Sequence, residues 1–262
     1  MARKVPSSRA VSVDRSTLCD YLAKTLDLAK IPDHSCNGLQ VQGRIEVRRV
    51  GLAVDACMET FRRAAADTCD MLLAHHGIIW GGLTSITGRV HAQIRFLVEN
   101  DLSLFAAHLP LDLHPVYGNN ARLADLLGLT GRAPFGVYKG VTIGFEGRAP
   151  RRATRDSLVE KLCSSLDTAC TVLPFGNDTV ERVAVISGGG ADELTEAIEK
   201  GIDCYVTGEP VHHNYHTALE AGINVIYAGH YQTETVGVKA LGKLLEKEFG
   251  IETLFIDVPT AI

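Results

Sequence analysis

Three stretches of this 262-residue chain set imidazoles beside imidazoles or carboxylates at spacings that suit a cation. His75 and His76 are adjacent, directly after the apolar run Met71 to Ala74. His108 is followed four residues later by Asp112, and His230 four residues later by Glu234. Imidazole nitrogen and carboxylate oxygen together suit Zn, Fe, Mn or a similar divalent ion. The five side chains His75, His76, Asp112, His230 and Glu234 are too many for one catalytic ion with an open position. They are about right for two ions sharing a carboxylate, an arrangement that activates water and stabilises charge on a scissile oxygen. Each motif also has a plainer reading. The His pair suits a packed strand end, His108 or His230 can bond backbone there, and Asp112 or Glu234 can face a helix N-terminus.

The elements around these residues must bring them together. After a polar lead over 1–14, Asp14 is placed to cap a helix carrying Leu18, Tyr21, Leu22 and Leu26 at helical spacing, with Pro32 beyond its end. Val50 to Val54, Met71 to Ala74 and Leu102 to Ala107 read as buried strands, with helices over Ala56 to Ala66 and Val90 to Asn100. Strands so continuously apolar belong in a parallel sheet covered on both faces, where ligands gather at the carboxyl ends. Successive strand residues point to opposite faces, so His75 and His76 reach one site only if the chain turns at Gly77. Pro110 argues against a regular helix through the His108 motif, whereas His230 leads into a helical pattern through Val236, Ala240, Leu241, Leu244 and Leu245.

The second half repeats the grammar, with strands at Val183 to Ile186, Cys204 to Thr207 and Val225 to Ala228 and helices at Asp192 to Lys200 and Asn214 to Ala221. An offset of 133 residues lays Arg49 on Arg182 and Asp70 on Asp203; an offset of 122 lays His108 on His230. The Gly-rich passage from Trp80 to Gly88 can hold the difference. Between the repeats, Phe135 to Phe145 and Ala169 to Leu173 read as strands and Thr154 to Leu166 as a helix. The expected organisation is therefore an α/β fold: a disordered lead over 1–14, a first α/β lobe over 15–132, a smaller α+β insert over 133–180 and a second α/β lobe over 181–262. The sheets should be mainly parallel.

Composition narrows the function classes. A hydrophobic fraction of 46% and a charged fraction of 22% describe a globular protein rather than a disordered one. The net charge of -5 disfavours a nucleic-acid surface, which depends on clustered Lys and Arg. Seven scattered cysteines without a CxxC point to free thiols in a reducing cytosol, not to a disulfide framework or thiolate zinc. No stretch approaches the roughly 18 apolar residues of a membrane helix. The first fifteen residues carry Arg3, Lys4, Arg9 and Arg15 but no signal-peptide core.

Asn37-Gly-Leu-Gln-Val41, His75-His-Gly-Ile-Ile-Trp80, His108-Leu-Pro-Leu-Asp112 with Gly118-Asn-Asn120, Thr207-Gly-Glu209 and Gly229-His-Tyr-Gln-Thr-Glu234 occur in this order. In these motifs, from about Leu18 to Pro259, the chain resembles the NIF-three-like family, whose members are often labelled GTP cyclohydrolase 1 type 2 homologues. The resemblance implies a two-lobed α/β fold with a dinuclear metal site in the cleft, and ring-shaped homohexamers. It implies His75, His76, Asp112, His230 and Glu234 as ligands, Glu234 as the bridge, and His108 outside the ligand set, orienting Asp112 or a water.

Other residues carry paired readings. Ser187-Gly-Gly-Gly190 suits a phosphate cradle or a tight strand-to-helix turn, and Trp80 a base-stacking platform or the floor of a cleft. Glu209 and His216 suit proton carriers near the ions, or a cap and a core hydrogen bond. The function expected first is a metal-dependent hydrolase of a small phosphorylated or nucleotide-like substrate. The alternative is a non-catalytic metal-delivery or regulatory protein.

Overall fold

Asp14 behaves as its type predicts. Strand β1 (Val13–Asp14) leads into helix α1 (Arg15–Thr25), and the Asp14 carboxylate accepts the N–H groups of Ser16 at 2.8 Å and Thr17 at 3.4 Å. These are donors that a first helical turn leaves without partners. The computed structural model describes residues 11–82 and 85–260, so most of the expected lead lies outside the described residues. Val13 and Asp14 do not belong to a loose lead, because they pair with Val47 and Glu46.

The chain continues through β2 (Gly38–Val41), β3 (Glu46–Val47), β4 (Arg49–Asp55), α2 (Met58–Ala66), β5 (Met71–His76), α3 (Gly88–Glu99) and β6 (Ser103–Ala106). There follow the single turn α4 (Leu109–Asp112), α5 (Asn119–Leu127), the hairpin β7 (Thr130–Tyr138) and β8 (Val141–Arg148), α6 (Arg155–Leu166) and β9 (Thr171–Pro174). Then come β10 (Arg182–Val185), a 3-10 turn at Gly190–Glu193, α7 (Leu194–Glu199), β11 (Cys204–Thr207), α8 (Asn214–Ala221), β12 (Asn224–Tyr227), α9 (His230–Phe249) and β13 (Glu252–Phe255). The fold is mixed α/β with several sheets.

Besides the two-stranded β1-β3 pair, one sheet has the order β13-β4-β5-β6-β2, parallel except for β2, and another the order β7-β8-β10-β11-β12-β9, parallel only through β10, β11 and β12. The continuous apolar strands are covered on both faces, as their sequence requires. Met71 and Leu73 face one core with Leu18, Leu22 and Leu241, while Leu72 and Ala74 face another with Phe61 and Leu97. Each fully buried leucine contributes about 1.5–3 kcal/mol by leaving water.

The structure adds four features to the sequence reading. The 133–180 stretch has no sheet of its own: its hairpin joins β10 through β8, and β9 joins β12, so the parallel trio gains a partner along each otherwise open edge. The apolar run from Phe135 to Phe145 is split between two hairpin strands. Near the other end, β13 pairs with β4 and α9 packs Val238, Leu241 and Leu245 into the core of the first sheet, so the last segment serves both sheets. Pro110 is accommodated in α4 because it occupies the first turn, where its missing N–H has no intrahelical partner.

Corresponding hydrogen bonds recur in the two large sheets. Asp70 Oδ2 accepts the N–H groups of Arg48 and Arg49, and Asp203 Oδ2 those of Glu181 and Arg182, at the offset of 133. Arg49 Nη1 donates to Asp67 O, and Arg182 Nη1 donates to Lys200 O. The third strands need a different offset from the expected 122, because Ala107 N donates to Ala74 O where Ala228 N donates to Thr207 O. Their true offset of 121 lays His108 on Gly229, each the residue just before a helix, and not on His230. The two histidine-to-carboxylate spacings are therefore not copies of one another.

Candidate metal centre

The carboxyl ends of the parallel strands supply the site. His75 and His76 close β5, Asp55 closes the neighbouring β4, and His108 and Asp112 flank the turn that follows β6. From the other sheet come Ser187 after β10, Glu209 after β11, and His230 and Glu234 in the first turns of α9. His75, Asp112 and Glu234 are buried, and His76 and His230 lie at the wall of a cleft of about 200 Å³. β5 ends at His76 and the chain leaves the strand at Gly77, with the two imidazole centroids 4.7 Å apart. The missing Cβ of Gly77 also makes room for the Gln40 amide, which accepts the N–H of Ile78 at 2.8 Å and donates to Cys36 O at 2.7 Å.

Each imidazole is fixed through its Nδ1. His75 Nδ1 donates to Ala107 O at 2.8 Å, His76 Nδ1 to Asp55 Oδ1 at 2.8 Å, and His230 Nδ1 to Glu209 Oε2 at 3.0 Å. Carbonyl and carboxylate oxygens only accept, so the proton sits on Nδ1 and each Nε2 is left to the cleft. Those nitrogens meet carboxylates. His75 Nε2 lies 3.5 Å from both Asp112 Oδ2 and Glu234 Oε1; His76 Nε2 lies 3.3 Å from Glu234 Oε2; His230 Nε2 lies 3.3 Å from Glu234 Oε1.

The donors fit a cation. Separations of 3.3 to 3.5 Å exceed a well-formed N–H···O bond. They match ligands each about 2.0–2.2 Å from a shared ion in tetrahedral array, which stand about 3.3–3.6 Å apart. His75 Nε2 and Glu234 Oε2 are buried without a hydrogen-bond partner. Two donor sets meet at Glu234, one with His75 and Asp112, the other with His76 and His230. Burial alone would lower the His75 pKa, yet the charges of Asp112 and Glu234 raise it to about 10; burial would lower His230, and Glu234 with Glu209 raises it to about 9. Glu234 shows the converse. Burial would raise its carboxyl, but His75 and His76 hold it well below the usual carboxylate range. The pocket therefore stabilises positive charge strongly, as a site for divalent ions must.

Further side chains hold the carboxylates in place. Asp112 Oδ1 accepts from Asn119 Nδ2 at 2.8 Å and Ser187 Oγ at 3.1 Å, turning Oδ2 toward His75. Asn119 Oδ1 accepts the N–H of Gly237 at 2.8 Å, tying α5 to α9. Asn120 donates to Ile143 O and accepts from Ser187 N, so α5 also grips the second sheet. Gly188 donates its N–H to Thr233 Oγ1 at 2.9 Å, as a tight strand-to-helix turn through Ser187-Gly-Gly-Gly190 expects, and Gly189 and Gly190 line the cleft.

Of the sequence-predicted residues, His75, His76, Asp112, His230 and Glu234 converge, and His108 joins His75 and His76 in a further group of neighbouring donor atoms. His108 does not orient Asp112 as expected: its Nδ1 lies 3.1 Å from both oxygens of Asp33. Glu209 touches His230, but His216 is on α8 with its ring against Tyr215, away from the lining of the cleft. Trp80 stands edge-on to His108, ring centroids 5.0 Å apart, and donates its Nε1–H to Gly77 O.

Asp33 and Asp55 contact the clustered histidines His108 and His76, and the sequence motifs do not include them. Burial would raise the Asp33 carboxyl, but hydrogen bonds from His108 and Asn37 bring it well below its ordinary value. Asp55 carries a usable signal, since it ends a buried strand in the position where parallel folds place ligand-binding groups. Partners that fix a ligating imidazole typically govern affinity by about 10–100-fold. Asp55→Asn is accordingly expected to weaken metal uptake within that range while leaving the fold intact, as measured by competition with a chromophoric chelator.

The profile of the Duf34/NIF3 family (NGG1p interacting factor 3) matches residues 13–261. A protein of Archaeoglobus fulgidus named "GTP cyclohydrolase 1 type 2 homolog" is 46% identical over 240 residues, covering 92% of this chain and 96% of its own. One of Pyrococcus abyssi with the same name is 43% identical over 251 residues, covering 95% of this chain and 100% of its own. The crystal structure of TTHA1606 from Thermus thermophilus superposes with a TM-score of 0.85 at 41% identity, covering 95% of this chain and 100% of that one.

Proposed function

This chain belongs to the Duf34/NIF3 family, and from that premise we propose that its cleft takes up two divalent cations and hydrolyses a small substrate beside them. The observation that carries the reading is Glu234, which belongs to both donor sets: its Oε1 lies 3.5 Å from His75 Nε2 and 3.3 Å from His230 Nε2, and its Oε2 3.3 Å from His76 Nε2. In this reading His75, Asp112 and Glu234 would hold one ion and His76, His230 and Glu234 the other. Two related α/β lobes closing on the site belong to the same reading, supported by the matched Asp70 and Asp203 hydrogen bonds.

A bound pair of such ions supplies activation of water and stabilisation of developing negative charge on a substrate oxygen. The chain's own residues supply the rest. His108 lines the cleft with Nδ1 held by Asp33, so its Nε2 is positioned to take a proton or return it to a leaving group. Asp33 is itself fixed by Asn37 Nδ2 at 2.8 Å and the N–H of Leu109 at 3.0 Å, which keeps the imidazole in one orientation. Leu109, Ile143 and Ile186 limit water around the reacting group.

Burial of His75, Asp112 and Glu234 favours retention of the ions over delivery to a partner. The homohexamer also belongs to this proposal, to be checked by light scattering against six times the 28.3 kDa chain mass. So does a cytoplasmic location, which accords with the free state of all seven cysteines. The test of function is elemental analysis of protein purified without chelators, followed by a broad panel of small hydrolysable substrates. Two metal equivalents per chain and turnover lost in Asp112→Asn are expected. Firm absence of turnover across the panel, with ions that exchange readily to an acceptor, would overturn the hydrolase in favour of a delivery protein.

A further inference from the structure

The seven cysteines are scattered along the chain, but folding brings two of them into contact. Cys163 Sγ donates to Cys170 Sγ at 3.2 Å, across seven positions of sequence. Among the described residues, no other cysteine sulfur meets a second one. Cys163 lies on α6, which ends at Asp167 in a left-handed conformation with φ of +51°. The Asp167 and Thr168 N–H groups both donate to Cys163 O, the second at 3.2 Å. The chain therefore reverses beside Cys163 and delivers Cys170 to the entrance of β9.

Cys69 and Cys204 are buried singly in the core, as cysteines used for packing are, whereas Cys163 and Cys170 are both partly exposed and open to a reagent. Burial pushes the Cys170 thiol up to about 12, and its hydrogen bond with Cys163 adds to the effect, so Cys170 stays protonated at neutral pH. The pair also stands where a covalent bond has something to hold. β9 is an edge strand of four residues that pairs with β12 alone. The start of α6 is already tied to the chain beyond β9, since Arg155 N donates to Asp178 O at 2.8 Å. At the end of α6, the two sulfurs stand where the helix meets the chain entering β9.

We propose that Cys163 and Cys170 form a reversible disulfide by exchange with a low-molecular-weight disulfide of the glutathione type, and that the bond fastens edge strand β9 to α6. Cys163 releases its proton to water, and its thiolate attacks one sulfur of the oxidant. A mixed disulfide forms, the oxidant's S–S bond breaks, and one glutathione leaves as a thiolate that takes up a proton. The Cys170 sulfur then attacks the Cys163 sulfur, the mixed bond breaks, and the second glutathione departs with the Cys170 proton. Two protein thiols are oxidised, and one glutathione disulfide is reduced to two glutathiones. A thiol held protonated is the poorer first nucleophile, which assigns Cys170 to the second step. Neither cysteine lines the metal cleft, so the exchange stands apart from the proposed hydrolysis.

Lys161 and Arg182 bound a tryptic peptide, residues 162–182, that holds both cysteines and no other. The full chain is reduced, equilibrated in glutathione redox buffers, alkylated with iodoacetamide in denaturant and digested. In oxidising buffer this peptide is expected to lose two hydrogens and both alkylation sites, and dithiothreitol to restore them. Cys170→Ser should stop at a single glutathione on Cys163, and Cys163→Ser should leave Cys170 unmodified. Hydrogen exchange at the β9 amides should slow by about tenfold or more when the parent is oxidised, and not in Cys170→Ser. A parent peptide that stays doubly alkylated, or carries glutathione without an internal bond, at a ratio that modifies the exposed Cys36 would overturn the site. Equal β9 exchange in the reduced and oxidised parent would overturn the fastening of the strand.

Discussion

Glu234→Ala is expected to empty the cleft of metal, weakening uptake of Mn²⁺ or Zn²⁺ by more than about 100-fold, because loss of a shared ligand exceeds the typical loss from an outer partner. The reason is geometric. Oε1 stands between His75 and His230 while Oε2 faces His76, so one truncation removes a ligand from each donor set. The other ligands cannot compensate, since Asp112 reaches His75 alone and is pinned on its far oxygen by Asn119 and Ser187. Thermal denaturation gives an independent readout. A ligand at about 100 times its dissociation constant stabilises a native state by about 2.7 kcal/mol, so saturating metal should raise the parent's midpoint and leave the variant's unmoved. Glu234→Gln keeps the volume and loses the charge, and should behave like the alanine variant. Retention of one full equivalent by either protein would show that the two donor sets do not share this carboxylate.

The ligands can be read from the sequence because their chemistry is carried by residue type: histidines and carboxylates just after apolar strands. What holds them cannot be read in the same way. Asp33, Asn37 and Gln40 lie in or beside a loop and act on His108 and on the chain after His76 from across the fold, and nothing in their local spacing announces it. His216 illustrates the converse. A histidine between two strand ends resembles the others by type, but it sits in a helix that follows the strand-end turn, and its place on that helix carries it away from the cleft.

For the fold, alternation of apolar strands and amphipathic helices is enough to find β4, β5 and β6 and their counterparts β10, β11 and β12. Edges are harder. Whether β8 and β9 form a separate sheet or extend another depends on pairing between residues far apart, and β8 carries a face pattern compatible with either. β13 is only four residues long and joins a strand that ends before the first histidine pair, information that no local pattern contains. The one-residue error in the second repeat offset has a similar origin. Matching His108 to His230 by residue type outweighs the backbone register, which matches His108 to Gly229.

Gly188→Ala is expected to damage stability and metal uptake together, although residue 188 donates no ligand. Its φ of +61° lies in the left-handed region, which costs an alanine about 1 kcal/mol or more. A Cβ there would also overlap Glu234 Oε1 and come within 3.0 Å of Glu234 Cδ and 3.1 Å of His230 Nε2. Glu234 cannot yield sideways, because His75 and His76 flank it and its helix is joined to Gly188 through Thr233. The combined loss should be about 2–3 kcal/mol in chemical denaturation, with metal affinity reduced by about 10–100-fold. Gly189→Ala is the control. The next residue has φ of -85°, and its added Cβ would meet Glu209 Oε1 at 3.4 Å and His230 Cε1 at 3.9 Å, ordinary contacts that should leave both measurements nearly unchanged. A Gly188→Ala protein that binds metal as tightly as its parent would show that the turn does not shape the carboxylate, and that Glu234 is positioned by α9 alone.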